Sequence, residues 1–182
     1  VRIWGEVPII ENGLDYVTNP NINTNRVEDV YTLIERDFQY AADHLQSKVR
    51  GADYTQNIRV SSGSAKAFLV YLYRKDYAKA RSLAEEVINS GEFKLLNNFG
   101  DLFRIKNNNN EESIFSWQWI VDGGYQDANF SNVQFGHDVL NEVSYGATYI
   151  PSKDLINAFE AGDKRKRETI MTDGDYYPEL TH

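Results

Sequence analysis

The sequence contains no cysteine in 182 residues, which removes disulfides, thiolate metal sites and cysteine nucleophiles and leaves the redox compartment undefined. It has no apolar run near the roughly 18 residues that a membrane-crossing helix needs, and no charged-then-apolar leader opens it. Positive charge is scarce as well: 19 Lys plus Arg face 27 Asp plus Glu, a net charge of -8. That balance argues against nucleic acid as a partner, because phosphate binding needs a concentrated positive surface. The one basic cluster, 164–167, follows Asp163 and reads as the solvated end of a helix. Signatures of chemistry are missing too. His44, His137 and His182 lack metal-ligand spacing, no Gly-x-Ser-x-Gly elbow occurs, and "SSGSAK" lacks a phosphate-loop ending. Asp173 and Asp175 in "TDGDYY" read as a turn, since the later ligands of a calcium loop are absent. Carboxylate pairs exist in any chain this acidic and carry no weight for glycoside hydrolysis. Nothing calls for an enzyme, a metal or a cofactor.

What the sequence has is a hydrophobic fraction of 41%, ordinary for a globular domain of this length, and 13% aromatics, with 12 Tyr and 3 Trp. Surfaces rich in Tyr and Trp suit ligands with apolar faces and hydroxyl edges. The periodicity is helical. Val27, Val30, Tyr31, Ile34, Phe38, Ala41, Ala42 and Leu45 predict an amphipathic helix over about 27–46, with Asn25 and Glu28 as a capping box. A polar linker leads to "SAKAFLVYLYRKDYAKARSLAEEVINSGEFKLL", whose recurring alanines predict two closely packed helices. The first is capped at Ser61 or Ser62 and ends near Tyr73; the second runs from about Asp76 to Ser90, with Gly91 at the C′ position.

Beyond Gly91, "NNFGDLFRI" predicts a short helix or turn inserting Phe99, Leu102 and Phe103 into the hairpin. The alternation in "SIFSWQWI" predicts a strand with Phe115, Trp117 and Trp119 on one face, core packing being the simpler reading for Phe115 and Trp117. The stretch 121–149 has no sustained period and carries Gly, Asn, Asp and spaced aromatics, so it reads as a functional loop. A last helix, "PSKDLINAFEA", would be capped by Ser152 and bury Leu155, Ile156 and Phe159. A chain opening on "VRIWGEVPII" reads as the middle of a longer protein.

The spacing of Tyr71, the turn at Asp76-Tyr77 and Ala80 matches one tetratricopeptide-like unit. The ordered segments "GEVPII", "RVEDVYTLIERDFQYAADHL", "RVSSGSAKAFLVYLY", "DYAKARSLAEEVINSGEFKLL", "DLF", "EESIFSW" and "PSKDLINAFEAGDKRKRETI" resemble the SusD/RagB family of outer-membrane glycan-binding lipoproteins, from 5 to about 170. The resemblance implies a mostly α fold of tetratricopeptide-like helix pairs with long loops and a minor β component. It implies one domain over 1–182, the central part of a longer protein, with a helical core at about 26–104 and a loop-rich, ligand-facing part at about 105–182. It also implies non-catalytic capture of oligosaccharide or polysaccharide, delivery to a TonB-dependent transporter of the SusC type, and a lipid anchor lying outside this chain as the only membrane attachment.

A sugar ring packs its C–H face on an aromatic plane while its hydroxyls need polar partners at the edges. Tyr125 with Asp127 and Asn129, and Tyr145 with Asn141, supply that pairing, with Tyr149 as a further candidate and Phe130, Tyr176 and Tyr177 in reserve. For each tyrosine the alternative is a half-buried ring whose hydroxyl bonds the backbone. A helical scaffold for peptides remains the competing function, distinguished by an apolar groove between helices rather than exposed loop aromatics.

Overall fold

The computed structural model describes residues 1–73, 75–118 and 150–178. These form two compact units, one of Val1–Leu95 with Asn108–Ser116, the other of Leu96–Asn107 with Trp117–His182. The described residues are mostly helical, and their one β element is an antiparallel bridge between Val7 and Asn25. The helices are α1 (Gly13–Thr18), α2 (Val27–His44), α3 (Ser62–Leu72), α4 (Tyr77–Asn89), α5 (Lys153–Ala158) and α6 (Arg165–Thr169).

In the first unit, α3 packs on both α2 and α4. Small residues bring α2 and α3 close: Ala42 and Ala65 are buried with Leu69, and the Ser62 hydroxyl donates to the Ala42 carbonyl at 2.6 Å. Phe38, Ala41, Leu72, Tyr73 and Leu83 close over this centre. The ends of the hairpin helices are local in origin. Ser61 accepts from the Ser64 amide at 3.3 Å, and Asp76 accepts from that of Lys79 at 3.1 Å. Gly91, at φ +67°, takes the left-handed position that ends α4.

The predicted capping box at Asn25 does not form. Arg26 occupies the N-cap of α2 with no side-chain cap bond, and the Asn25 carboxamide oxygen instead accepts from the Ile9 amide at 2.9 Å. Asn25 thus fastens the N-terminal segment, a tertiary demand that outweighs its local capping preference. Glu28 and Asp29 still place negative charge on the first turn.

One polar cluster joins α2, α3 and α4. The Tyr73 hydroxyl donates to Glu35, the Lys79 ammonium lies 3.3 Å from the same carboxylate, and Lys79 also sits 3.7 Å from the centre of the Tyr73 ring. The Tyr73 hydrogen bond, followed by Lys79, holds the Glu35 carboxyl below its ordinary value. A carboxyl that titrates lower folded than unfolded stabilises above the unfolded value and loses that contribution as pH falls through the folded one. Glu35→Gln should therefore lower stability at neutral pH by about 0.2–1 kcal/mol, the small figure reflecting the exposure of this pair. The gap between wild type and variant should close on the acid side of the glutamate range; urea unfolding at neutral and acidic pH measures both.

In the second unit, a 3-10 turn at Phe99–Phe103 packs on α6, with Arg104 3.8 Å from Glu168. Phe99 and Phe103 meet edge to face at 5.2 Å, yet Phe103 remains exposed rather than inserted. Ser152 caps α5 through the Leu155 amide at 3.1 Å, but Leu155 is exposed and only Ile156 and Phe159 are half-buried, because α5 spans six residues and presents a narrow stripe. The basic cluster lies along α6. Arg165 forms a fork with Asp163, at 2.6 Å for its closest contact, which leaves less free charge than the sequence suggests.

Candidate functional site

The six candidate ligand residues, Tyr125, Asp127, Asn129, Asn141, Tyr145 and Tyr149, lie outside the described residues, as do Trp119, Phe130, His137 and His182. What is described is the segment that precedes them in the chain, residues 108–118, and the framework holding that segment.

Residues 108–116 are fastened to the N-terminus of α3 by a buried polar node. Ser64 uses its whole hydrogen-bonding capacity: the hydroxyl donates to the Ile114 carbonyl at 2.8 Å and accepts from the Ser61 amide at 3.3 Å and from Arg50 at 3.4 Å. Arg50, 5% exposed, also donates to the carbonyls of Asn57 and Arg59. Burial pulls its guanidinium below the ordinary arginine value and Glu92 opposes that shift, so it remains charged at neutral pH. The buried Asn57 amide bridges the carbonyls of Gly51 and Asn109, each at 2.9 Å. Most acceptors here are backbone carbonyls, so the node fixes the path of the chain more than its side chains.

Glu92 completes the framework from the other end of the hairpin. Its buried carboxylate accepts from the Gly63 amide at 3.2 Å and the Ser47 hydroxyl at 2.8 Å, placing negative charge at the N-terminus of α3. A Cβ on residue 63 would lie 2.8 Å from that carboxylate, which is why glycine stands there. No sequence pattern announced Arg50, Asn57 or Glu92; a charged residue in a predicted linker is weak in isolation, and their partners lie up to 52 residues away.

No strand pairing occurs in 113–118. Phe115 is half-packed: Phe38 stacks on Phe68 at 5.1 Å, and Phe68 meets Phe115 edge-on at 5.5 Å. Trp117 differs from the core expectation, being 76% exposed as the chain approaches residue 119. In the second unit Tyr176 is exposed, whereas Tyr177 is committed: its one hydroxyl proton is shared between the Arg167 carbonyl at 2.9 Å and the Ile170 carbonyl at 3.1 Å, and Arg167 lies 4.1 Å over its ring. Tyr177 thus takes the backbone-bonded alternative. Asp175 caps a turn through Thr172, its amide at 2.8 Å and its hydroxyl at 2.7 Å, which holds its carboxyl below the usual range. His44 stacks on Tyr40 at 3.9 Å along α2. Among the described residues no cluster of His, Asp or Glu could hold a metal ion, and no helix is long and apolar enough to cross a membrane.

No protein-family model matches the chain. A SusD-like protein of Bacteroides ovatus is 34% identical over 97% of this chain and 34% of its own length. A crystal structure containing xylogluco-oligosaccharide superposes with a TM-score of 0.78 at 33% identity, over 96% of this chain and 37% of that one. A SusD-like protein from Bacteroides fragilis shares the fold, with a TM-score of 0.68 at 23% identity over 86% of this chain and 31% of that one. The chain therefore spans about a third of the length of the relatives it matches. Over that third, in sequence and in helical fold, the chain belongs to the SusD-like proteins.

Proposed function

We propose that this protein captures oligosaccharide or polysaccharide at the bacterial outer-membrane surface without breaking bonds, and delivers it to a TonB-dependent transporter of the SusC type. A lipid anchor outside the present chain would hold it there. The observation that carries the reading is the 33% identical relative crystallised with a xylogluco-oligosaccharide, matched over 96% of this chain. Exposed Trp117 and the aromatic-rich 121–149 stretch that follows fit the same chemistry. Rings there would pack on sugar C–H faces while Asp127, Asn129 and Asn141 meet the hydroxyls. Each exposed hydroxyl bond exchanges with water for about 0.5–1.5 kcal/mol net, so a single site binds weakly and repeated sugars along a polymer raise the avidity.

Affinity electrophoresis against plant, host and microbial polysaccharides, xyloglucan included, tests this. At least one glycan should retard the protein, and Tyr125→Ala or Tyr145→Ala should weaken that binding by about fivefold, the scale of one aromatic contact. If the folded protein is retarded by no glycan, the reading falls and a protein-interaction module takes its place.

A further inference from the structure

A groove of about 450 Å³ on the first unit lies among Arg2, Tyr31, Ile34, Tyr71, Leu72 and Lys75. Its size is that of a small-molecule site. Tyr31 and Ile34 come from α2, Tyr71 and Leu72 from the end of α3, and Lys75 from the turn that follows. Tyr31, Ile34 and Leu72 are half-buried, whereas Arg2, Tyr71 and Lys75 are exposed. The Arg2 guanidinium lies 5.1 Å from the centre of the Tyr71 ring. Its charge has no carboxylate partner among the described residues, and neither has that of Lys75. Elsewhere in the same unit Arg26, Arg36, Lys66, Lys79 and Arg81 are in ion pairs, whereas Lys48, Arg50, Arg59 and Lys94 form none among the described residues. What distinguishes this groove is that two such cations line one apolar floor, in a chain of net charge -8.

We propose that this groove binds a carboxylated sugar, a uronic acid residue of an oligosaccharide. The proposal rests on the glycan-binding reading and adds a subsite to the residues proposed within 121–149, with a preference for acidic glycans. Packing against Tyr71 orients the guanidinium and leaves its N–H edge for a carboxylate, which it grips through two parallel bonds. Lys75 adds a point charge. The C–H face of the ring covers Tyr31, Ile34 and Leu72. A neutral sugar gains only that last contact.

Isothermal titration calorimetry with trigalacturonate and, as a neutral trisaccharide, maltotriose tests this on the whole chain. Trigalacturonate should bind at least about tenfold more tightly, since a charge-assisted bidentate bond is at stake. The preference should shrink between about 10 mM and about 1 M salt, as the Debye length falls from about 30 to about 3 Å. Arg2→Lys should weaken trigalacturonate several-fold by losing the fork, and Arg2→Gln with Lys75→Gln should abolish the preference. Both side chains are exposed, and unchanged circular dichroism would establish that the variants fold. Equal affinity for the two sugars, no binding at millimolar trigalacturonate, or a preference that survives in the double variant overturns the proposal. Tyr125→Ala separates it from the broader reading. Trigalacturonate binding lost in Tyr125→Ala but kept in the groove double variant would sink the groove and leave glycan capture standing. Trigalacturonate binding lost only in the groove variants, with no polysaccharide retarding the protein, would sink loop capture and leave the groove.

Discussion

Leu69→Ala is expected to lower the stability of the first unit by about 2–5 kcal/mol, measured as a shift in the denaturant midpoint with little change in slope. Leu69 is fully buried, at 0% exposure, in the middle of α3, between the Ala42 and Ala65 contact and the surrounding Phe38, Leu72 and Leu83. Truncation removes the transfer energy of the lost carbons and opens a cavity that the neighbours fill only in part. Those neighbours sit on three packed helices whose small residues already allow close approach, so little further collapse is available. A loss of less than about 1 kcal/mol would mean that α3 is not the centre of this core. Leu69→Met, which conserves volume, should cost less than about 1.5 kcal/mol and separates packing from mere substitution.

Arg50→Ala should cost about 3 kcal/mol for a different reason. The variant leaves the carbonyls of Asn57 and Arg59 without their donor and deprives the buried Glu92 carboxylate of its nearby positive charge. Arg50→Lys should recover only part of the loss, because an ammonium cannot serve Asn57, Arg59 and Ser64 together through one planar fork. The variants also carry a functional readout. Ser64 and Asn57, both partners of Arg50, bind the segment that leads to the proposed glycan loop. Weaker retardation by polysaccharide in Arg50→Lys, under conditions where circular dichroism shows it folded, is the expected result. Unaltered retardation would mean that the path of 108–116 is set without Arg50.

Much of the helical architecture was legible along the chain. The cap at Ser152, the cap narrowed to Ser61 or Ser62, the helix start near Asp76 and the left-handed Gly91 follow from bonds and dihedral preferences spanning a few residues; the structure selects Ser61 and makes Asp76 a cap. The same local logic failed where a residue serves a distant partner. Asn25 looks like a cap and instead holds Ile9; the "SIFSWQWI" alternation looks like a strand, but 113–118, the described part of it, is not strand. Trp117 carried a core signal because alternation reports which residues share a face, not whether anything covers that face.

By itself the sequence determined the helical class and the hairpin with its small-residue seam, because both are written in periodicity and local capping over short separations; the family showed only as the resemblance of its ordered segments taken together. Only the tertiary structure decided that Glu92 caps α3 across 29 residues, that Asn57 reaches Asn109 across 52, and that Arg2 and Lys75 meet beside Tyr71 at one groove. These contacts depend on where the packed helices bring remote backbone and charge together. That placement follows from burying Leu69 and its neighbours, and no short stretch of the chain encodes it.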